Sequence, residues 1–216
     1  MKGKRSKAYV LDALMLLLLP LLMAYSLIGE NFHEIAGVTM GILFWIHFFL
    51  HLGFYRGLGK GNYSPYRKLL TVTNLLLLIN LVCQPLTGIL MSKHLFTWLP
   101  VTGFAAYGRV IHLALGYWGY ALMSFHAGLH LPVMLKKIRG GKPLSTPVKA
   151  VATLIGAYGI YAFIHQQFPS YMLLRSEFLF LDDTQPLGLF LLEFLAVMVL
   201  FAIIGYEAAE RTKGQA

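Results

Sequence analysis

Cysteine is almost missing from these 216 residues. The one present, Cys83, lies inside an apolar stretch with no partner. That excludes a disulfide, a cysteine-bound iron–sulfur cluster and covalent haem attachment through Cys-x-x-Cys-His. Cys83 itself reads as a small buried hydrophobe. Charge is scarce too, at 12% of residues, and only nine acids stand against 18 lysines and arginines. A dinucleotide fingerprint and a phosphate-binding loop are both absent, so the chain brings no nicotinamide or flavin domain of its own.

What remains is mostly apolar. Hydrophobic residues make up 57% of the chain and the mean hydropathy is +0.65, which is the composition of a membrane protein. Six stretches are long enough to cross about 30 Å of hydrocarbon as helices: 9–28, 33–55, 69–92, 110–132, 148–165 and 187–206. Helices are the expected spanning elements because backbone groups in lipid must pair internally. The first follows Lys2, Lys4, Arg5 and Lys7 as a signal peptide would. Its apolar run is long for one and no small-residue cleavage site follows, so it is expected to stay as a helix.

The net charge of +9 is sorted by loop, which points to membrane lipid and away from nucleic acid as a partner. With a cytoplasmic N-terminus, all but Lys93, Arg109 and Arg175 of the 18 basic residues fall inside. The positive-inside rule therefore places both termini in the cytoplasm.

Six of the eight histidines fall in the second and fourth spans at matched positions: His33, His47 and His51, then His112, His126 and His130. Fourteen residues of helix separate His33 from His47, and His112 from His126, by about 21 Å. Fourteen is two heptads, so in a left-handed bundle each pair stays on one seam. The alternative eighteen-residue spacing to His51 or His130 drifts by about 50° and stretches to about 27 Å. One helix intervenes between these spans, so they run in parallel. His33 then meets His112 near the outer surface, and His47 meets His126 nearer the cytoplasm. This is the pattern of two b-type haems, each held between two imidazoles, with the four histidines as iron ligands. The ordinary alternative is hydrogen bonding between helices. Ionisable groups within a membrane are nevertheless functional candidates by default.

Gly37 and Gly116 occupy equivalent positions one turn from the outer histidines, and Gly41 and Gly119 lie near mid-helix. They would let a flat macrocycle approach the backbone, or serve ordinary small-residue packing. For His51 and His130 three readings stand: contact with haem propionates, the border of a quinone site, or simple interfacial placement. Arg109, one turn before His112, suits an outer propionate or a flanking interfacial charge. His94 and His165, at outer helix ends, receive no role. Pro85, beside Gln84 and Thr87, predicts a kink that serves packing. The outer segment 166–186 mixes Phe168, Tyr171, Phe178 and Phe180 with Arg175, Glu177, Asp182 and Asp183. It reads as an aromatic belt, or as an interfacial helix over the outer haem that a redox partner could dock on.

The run Gly29-Glu30-Asn31-Phe32-His33-Glu34, the His47 helix ending at Tyr55 and Arg56, the run from Leu86 to Ser92 and the His112–His130 helix resemble the flavinylation-associated cytochrome family. These are bacterial membrane cytochromes first catalogued as a domain of unknown function. The resemblance covers residues 8–135. It implies electron transfer across the bacterial cytoplasmic membrane towards an extracytoplasmic protein carrying covalent flavin. The expected entry of electrons is near the cytoplasmic face or from a membrane quinol, and the sequence allows the reverse direction equally. Near the inner ligand the family commonly has an asparagine and a second adjacent histidine, where this chain has Phe48 and His51.

The expectation is thus an all-α membrane protein with six transmembrane helices. A four-helix, cytochrome b-like diheme core occupies 1–135, and two further helices with the 166–186 loop occupy 136–216. Two other readings stay open. One is a ferric-reductase-like haem core, which normally joins a flavin module. The other is a transporter whose histidines bind a transition metal.

Overall fold

The computed structural model describes residues 2–99, 105–140, 142, 144–176, 179 and 184–213, with side chains from Ala8 onward and, in the helix beginning at Ala105, from Tyr107. Every regular element among them is an α-helix: α1 Lys2–Met23, α2 Tyr25–Ile28, α3 Glu30–Leu50, α4 Leu52–Arg56, α5 Pro65–Leu90, α6 Ala105–Arg139, α7 Thr146–His165, α8 Phe168–Met172 and α9 Leu187–Lys213.

Local chemistry sets the boundaries. Gly29, at φ +94°, takes a conformation other residues avoid and separates α2 from α3. Ser64 caps α5 by accepting from the Arg67 amide at 3.3 Å, and Pro65 supplies the pre-set first turn. The second expected span breaks at His51, whose φ of −105° and ψ of 14° end α3 and begin α4. The first breaks likewise, at Ala24. α5 and α6 continue through Pro85 and Pro132. Beside Pro85 the Thr87 hydroxyl donates to the carbonyls of Cys83 and Gln84.

Four helices, α3, α5, α7 and α9, are long and apolar enough to cross a membrane. Their outward faces carry exposed Phe49, Ile79, Leu154, Ile164 and Leu192, an apolar surface that points to a membrane protein. α6 is 35 residues long, but its histidines, glycines and tyrosines dilute its hydropathy.

α1 lies beside α3, α5 beside α6, and α9 along both α6 and α7, whereas α3 and α6 do not pack closely backbone to backbone. The α6–α9 seam depends on glycine. A Cβ on Gly128 would collide with the Ala202 carbonyl, and one on Gly205 with the Phe125 carbonyl. Gly156 and Gly159 serve the α7–α9 seam in the same way, and α7 runs unbroken over its expected length.

The segment 166–186 differs from expectation. Phe168 and Tyr171 of the short α8 are fully buried against Tyr117, Tyr120 and Phe194. The Trp118 indole donates to the Met172 carbonyl at 2.9 Å and fastens α8 to α6. These aromatics are core, because their ring area is worth more against other rings than at the surface. Glu177, Phe178, Phe180, Asp182 and Asp183 lie outside the described residues.

Candidate functional site

His33 enters from the first turns of α3, and His112 from the matching end of α6. Their ring centroids are 6.1 Å apart with planes inclined at 69°. The helices that carry them stand apart, so the two imidazoles meet across a gap.

The α3 end of this gap is anchored through two carboxylates. Glu34 accepts from the Ser92 hydroxyl and the Lys93 amide, each at 2.7 Å. Glu30 pairs with Lys93 Nζ at 2.7 Å and accepts from the Tyr25 hydroxyl at 2.5 Å. His94 Nε2 lies 3.7 Å from the same carboxylate, which gives His94 a place in this clamp. Tyr25 in turn packs edge-on against His33 at 5.3 Å.

The hydrogen bonds of the two outer imidazoles determine which nitrogen is bare. His33 Nδ1 is 2.9 Å from the Leu22 carbonyl. A carbonyl only accepts, so Nδ1 holds the proton and Nε2 keeps its lone pair. His112 Nδ1 is 3.2 Å from the Gln84 carbonyl and 3.0 Å from the Thr87 hydroxyl, which spends its own proton on backbone carbonyls. The same tautomer follows. The Gln84 carboxamide sits 3.3 Å from His112 Nε2, and its own Oε1 is buried without a partner.

At the far end of these helices, His47 Nδ1 faces Asp12 Oδ1 of α1 at 2.8 Å. A carboxylate also accepts, so in the neutral tautomer that this bond favours His47 carries its proton on Nδ1 and presents Nε2 as the acceptor. His51 lies against His47 with ring centroids 4.6 Å apart, and His130 against His126 at 4.7 Å. Across the gap, His47 and His51 are near enough to act electrostatically on both His126 and His130. His126 Nδ1 is buried and has no hydrogen-bond partner. An orphaned polar atom in a helix core is uncommon and calls for a reason.

The structure therefore brings His33 to His112, His47 to His51, and His126 to His130. The glycines divide unequally. Gly37 and Gly41 on α3 border open space, with nothing within 4 Å of where a side chain would begin. Gly116 and Gly119 on α6 instead make room for Gln84 and Asn80 of α5, and Asn80 donates to the Leu115 carbonyl at 2.7 Å. Arg109 is exposed on α6 and acts electrostatically on Tyr25.

Asp12, Tyr25, Gln84 and Thr87 are the partners that sequence reasoning did not assign to the histidines. Only Asp12 left a signal, as the single acid within the first apolar stretch. Among the described residues, no three or more His, Cys, Asp or Glu side chains form a metal-ligand group. An ion held between two imidazoles needs only two. The chain matches no protein-family model, no curated protein and no solved structure.

Proposed function

We propose that this chain is a transmembrane electron relay holding two b-type haems, one between His33 and His112 and one between His47 and His126. The observation that carries the reading is the shared tautomer. Three of the four histidines, on two helices, have Nδ1 on an acceptor, which leaves the Nε2 of the neutral ring unprotonated, and that of His112 accepts from the Gln84 carboxamide at 3.3 Å. Metal-bound imidazoles are oriented in this way by their surroundings.

The outer spacing supports it. Two metal–nitrogen bonds of about 2 Å each, plus the ring radii, put centroids roughly 6 Å apart. The 6.1 Å between His33 and His112 suits one iron between them. Open space at Gly37 and Gly41 suits a macrocycle beside α3. The Gln84 carboxamide, with its unsatisfied Oε1, forfeits little by yielding the position beside His112 Nε2.

A bis-histidine haem supplies a one-electron centre with no open coordination position. The protein's part is to hold and orient. The Leu22 carbonyl, Thr87 and the Gln84 carbonyl fix the outer imidazoles, and Asp12 fixes the inner one while adding negative charge beside it.

The same reading makes α1 and α6 spans as well, for six in all with both termini cytoplasmic. At 1.5 Å per residue α6 is about 52 Å long, ample for a bilayer. The lysines and arginines at the ends of α6 and α9 favour that orientation. The outer partner on this reading is an extracytoplasmic flavin-carrying protein, and the membrane is the bacterial cytoplasmic one.

Vesicles loaded with ferricyanide and given a membrane-impermeant reductant outside test the activity. The expected result is internal ferricyanide reduction that depends on the chain and is lost in His126→Ala. Reduction no faster than in protein-free vesicles would sink the proposal.

A further inference from the structure

The last apolar helix carries an acid deep in its buried face. Glu193 of α9 is 2% exposed, and its carboxylate is surrounded by donors. Oε2 accepts from Gln166 Nε2 at 2.5 Å, His165 Nδ1 at 3.0 Å and Gln185 Nε2 at 3.2 Å, and Oε1 accepts from the Tyr158 hydroxyl at 3.3 Å. Burying a carboxylate is costly unless it is bonded in this way, so the arrangement needs a purpose beyond packing.

That purpose is visible in His165. With Nδ1 donating to Glu193, the neutral ring presents Nε2 as an acceptor, and the side chain is 46% exposed. It opens onto a cleft of about 550 Å³ between α7 and α9, lined by Tyr158, Tyr161, His165, Gln185, Leu189 and Glu193 among others. Three rings form one file along its wall. Tyr158 stacks on Tyr161 at 5.7 Å, and Tyr161 on His165 at 5.3 Å with planes only 12° apart. This wall is aromatic, with one hydrogen-bond acceptor at its end.

The chemistry of the lining selects the ligand. Among the described residues no lysine or arginine lines the cleft, and the Glu193 carboxylate does, so an anionic head group is disfavoured. The approach runs between exposed Ile164, Leu189 and Leu192 on helices apolar enough to lie in lipid, which favours a ligand with an apolar tail. The three stacked rings favour a planar aromatic head over an aliphatic one.

We propose that this cleft binds the head group of a lipid-soluble aromatic diol, a quinol, with His165 Nε2 accepting from one hydroxyl. Glu193 acts as a positioning residue, fixing the imidazole and stabilising it if it gains that proton. The site is separate from the histidine pairs of α3 and α6, and the two readings have different measurements.

Isothermal titration of the purified full chain with a decyl-substituted benzoquinol, under anaerobic conditions, tests it. The expected result is one saturable site per chain, with the quinol bound at least about fivefold more tightly than the corresponding quinone, which has no hydroxyl to donate. His165→Ala and the cleft-filling Leu189→Trp should each weaken binding at least about tenfold and leave haem content as in the parent. Leu189→Trp leaves the Glu193 network intact and keeps the test decisive should His165→Ala fold poorly. No saturable binding, equal binding by both variants, or equal displacement by an anionic phospholipid or a sterol would overturn the proposal.

Discussion

Nδ1 of His47 and Oδ1 of Asp12 lie 2.8 Å apart and join α3 to α1 across 35 residues of sequence. The carboxylate is the hydrogen-bond partner of this imidazole, whereas the partners of His33 and His112 are backbone carbonyls and a hydroxyl. The two centres are therefore expected to differ in potential.

Asp12→Asn should remove that charge while keeping a hydrogen-bond acceptor. The inner centre's potential should rise by roughly 60 mV, the one-electron equivalent of about 1.4 kcal/mol, and the outer centre should stay where it was. A potentiometric titration followed by absorption reads both. Movement of neither centre would remove Asp12 from the site.

Single ligand substitutions should divide into two classes. His33→Ala and His112→Ala should each cost one haem per chain, and His47→Ala and His126→Ala the other. Spectra recorded at fixed potentials tell which centre survives. Variants of His51 or His130 should keep both haems.

The glycines give a sharper contrast. Gly37 shares a face with His33 and borders open space, so Gly37→Leu is harmless if that space stays empty and disruptive if a macrocycle fills it. The account predicts loss of the outer haem from a folded chain. Gly116→Ala should be mild by comparison, because the Cβ would meet only the flexible end of Gln84.

Stability resides elsewhere. Gly205→Leu and Gly128→Val would push side chains into backbone carbonyls across the α6–α9 seam, where neither helix can yield. Overpacking of this kind costs about 1–3 kcal/mol or more. The thermal midpoint in detergent should fall for both, while Gly188→Ala, which borders open space, should leave it unchanged.

Much of this architecture was legible in the sequence because bilayer thickness and helical period are strict rulers. The matched positions of His33 and His112 on parallel spans are enough to predict that the two meet, as they do at 6.1 Å. The partners of those histidines were not legible. The Leu22 and Gln84 carbonyls have no side-chain identity to read, and Asp12 reaches His47 only through the packing of α1 on α3. Gly116 was matched to Gly37 by position alone. Position along a helix does not reveal that α6 turns this residue towards Gln84 of α5. Phe168 and Tyr171 lie in a connecting segment whose mixture of rings and charges suggests an aromatic belt or an interfacial helix, but they pack against Tyr117 and Tyr120 of α6, and Phe168 also against Phe194 of α9. His165 had no apparent role for a related reason, since its partner Glu193 is 28 residues away and acquires meaning only when α7 and α9 meet.

The account depends most directly on haem stoichiometry. A pyridine haemochrome assay on the purified chain, normalised to protein and paired with a reduced-minus-oxidised spectrum, should give two b-type haems per chain. A well-folded sample grown with ample haem that contains none would contradict it.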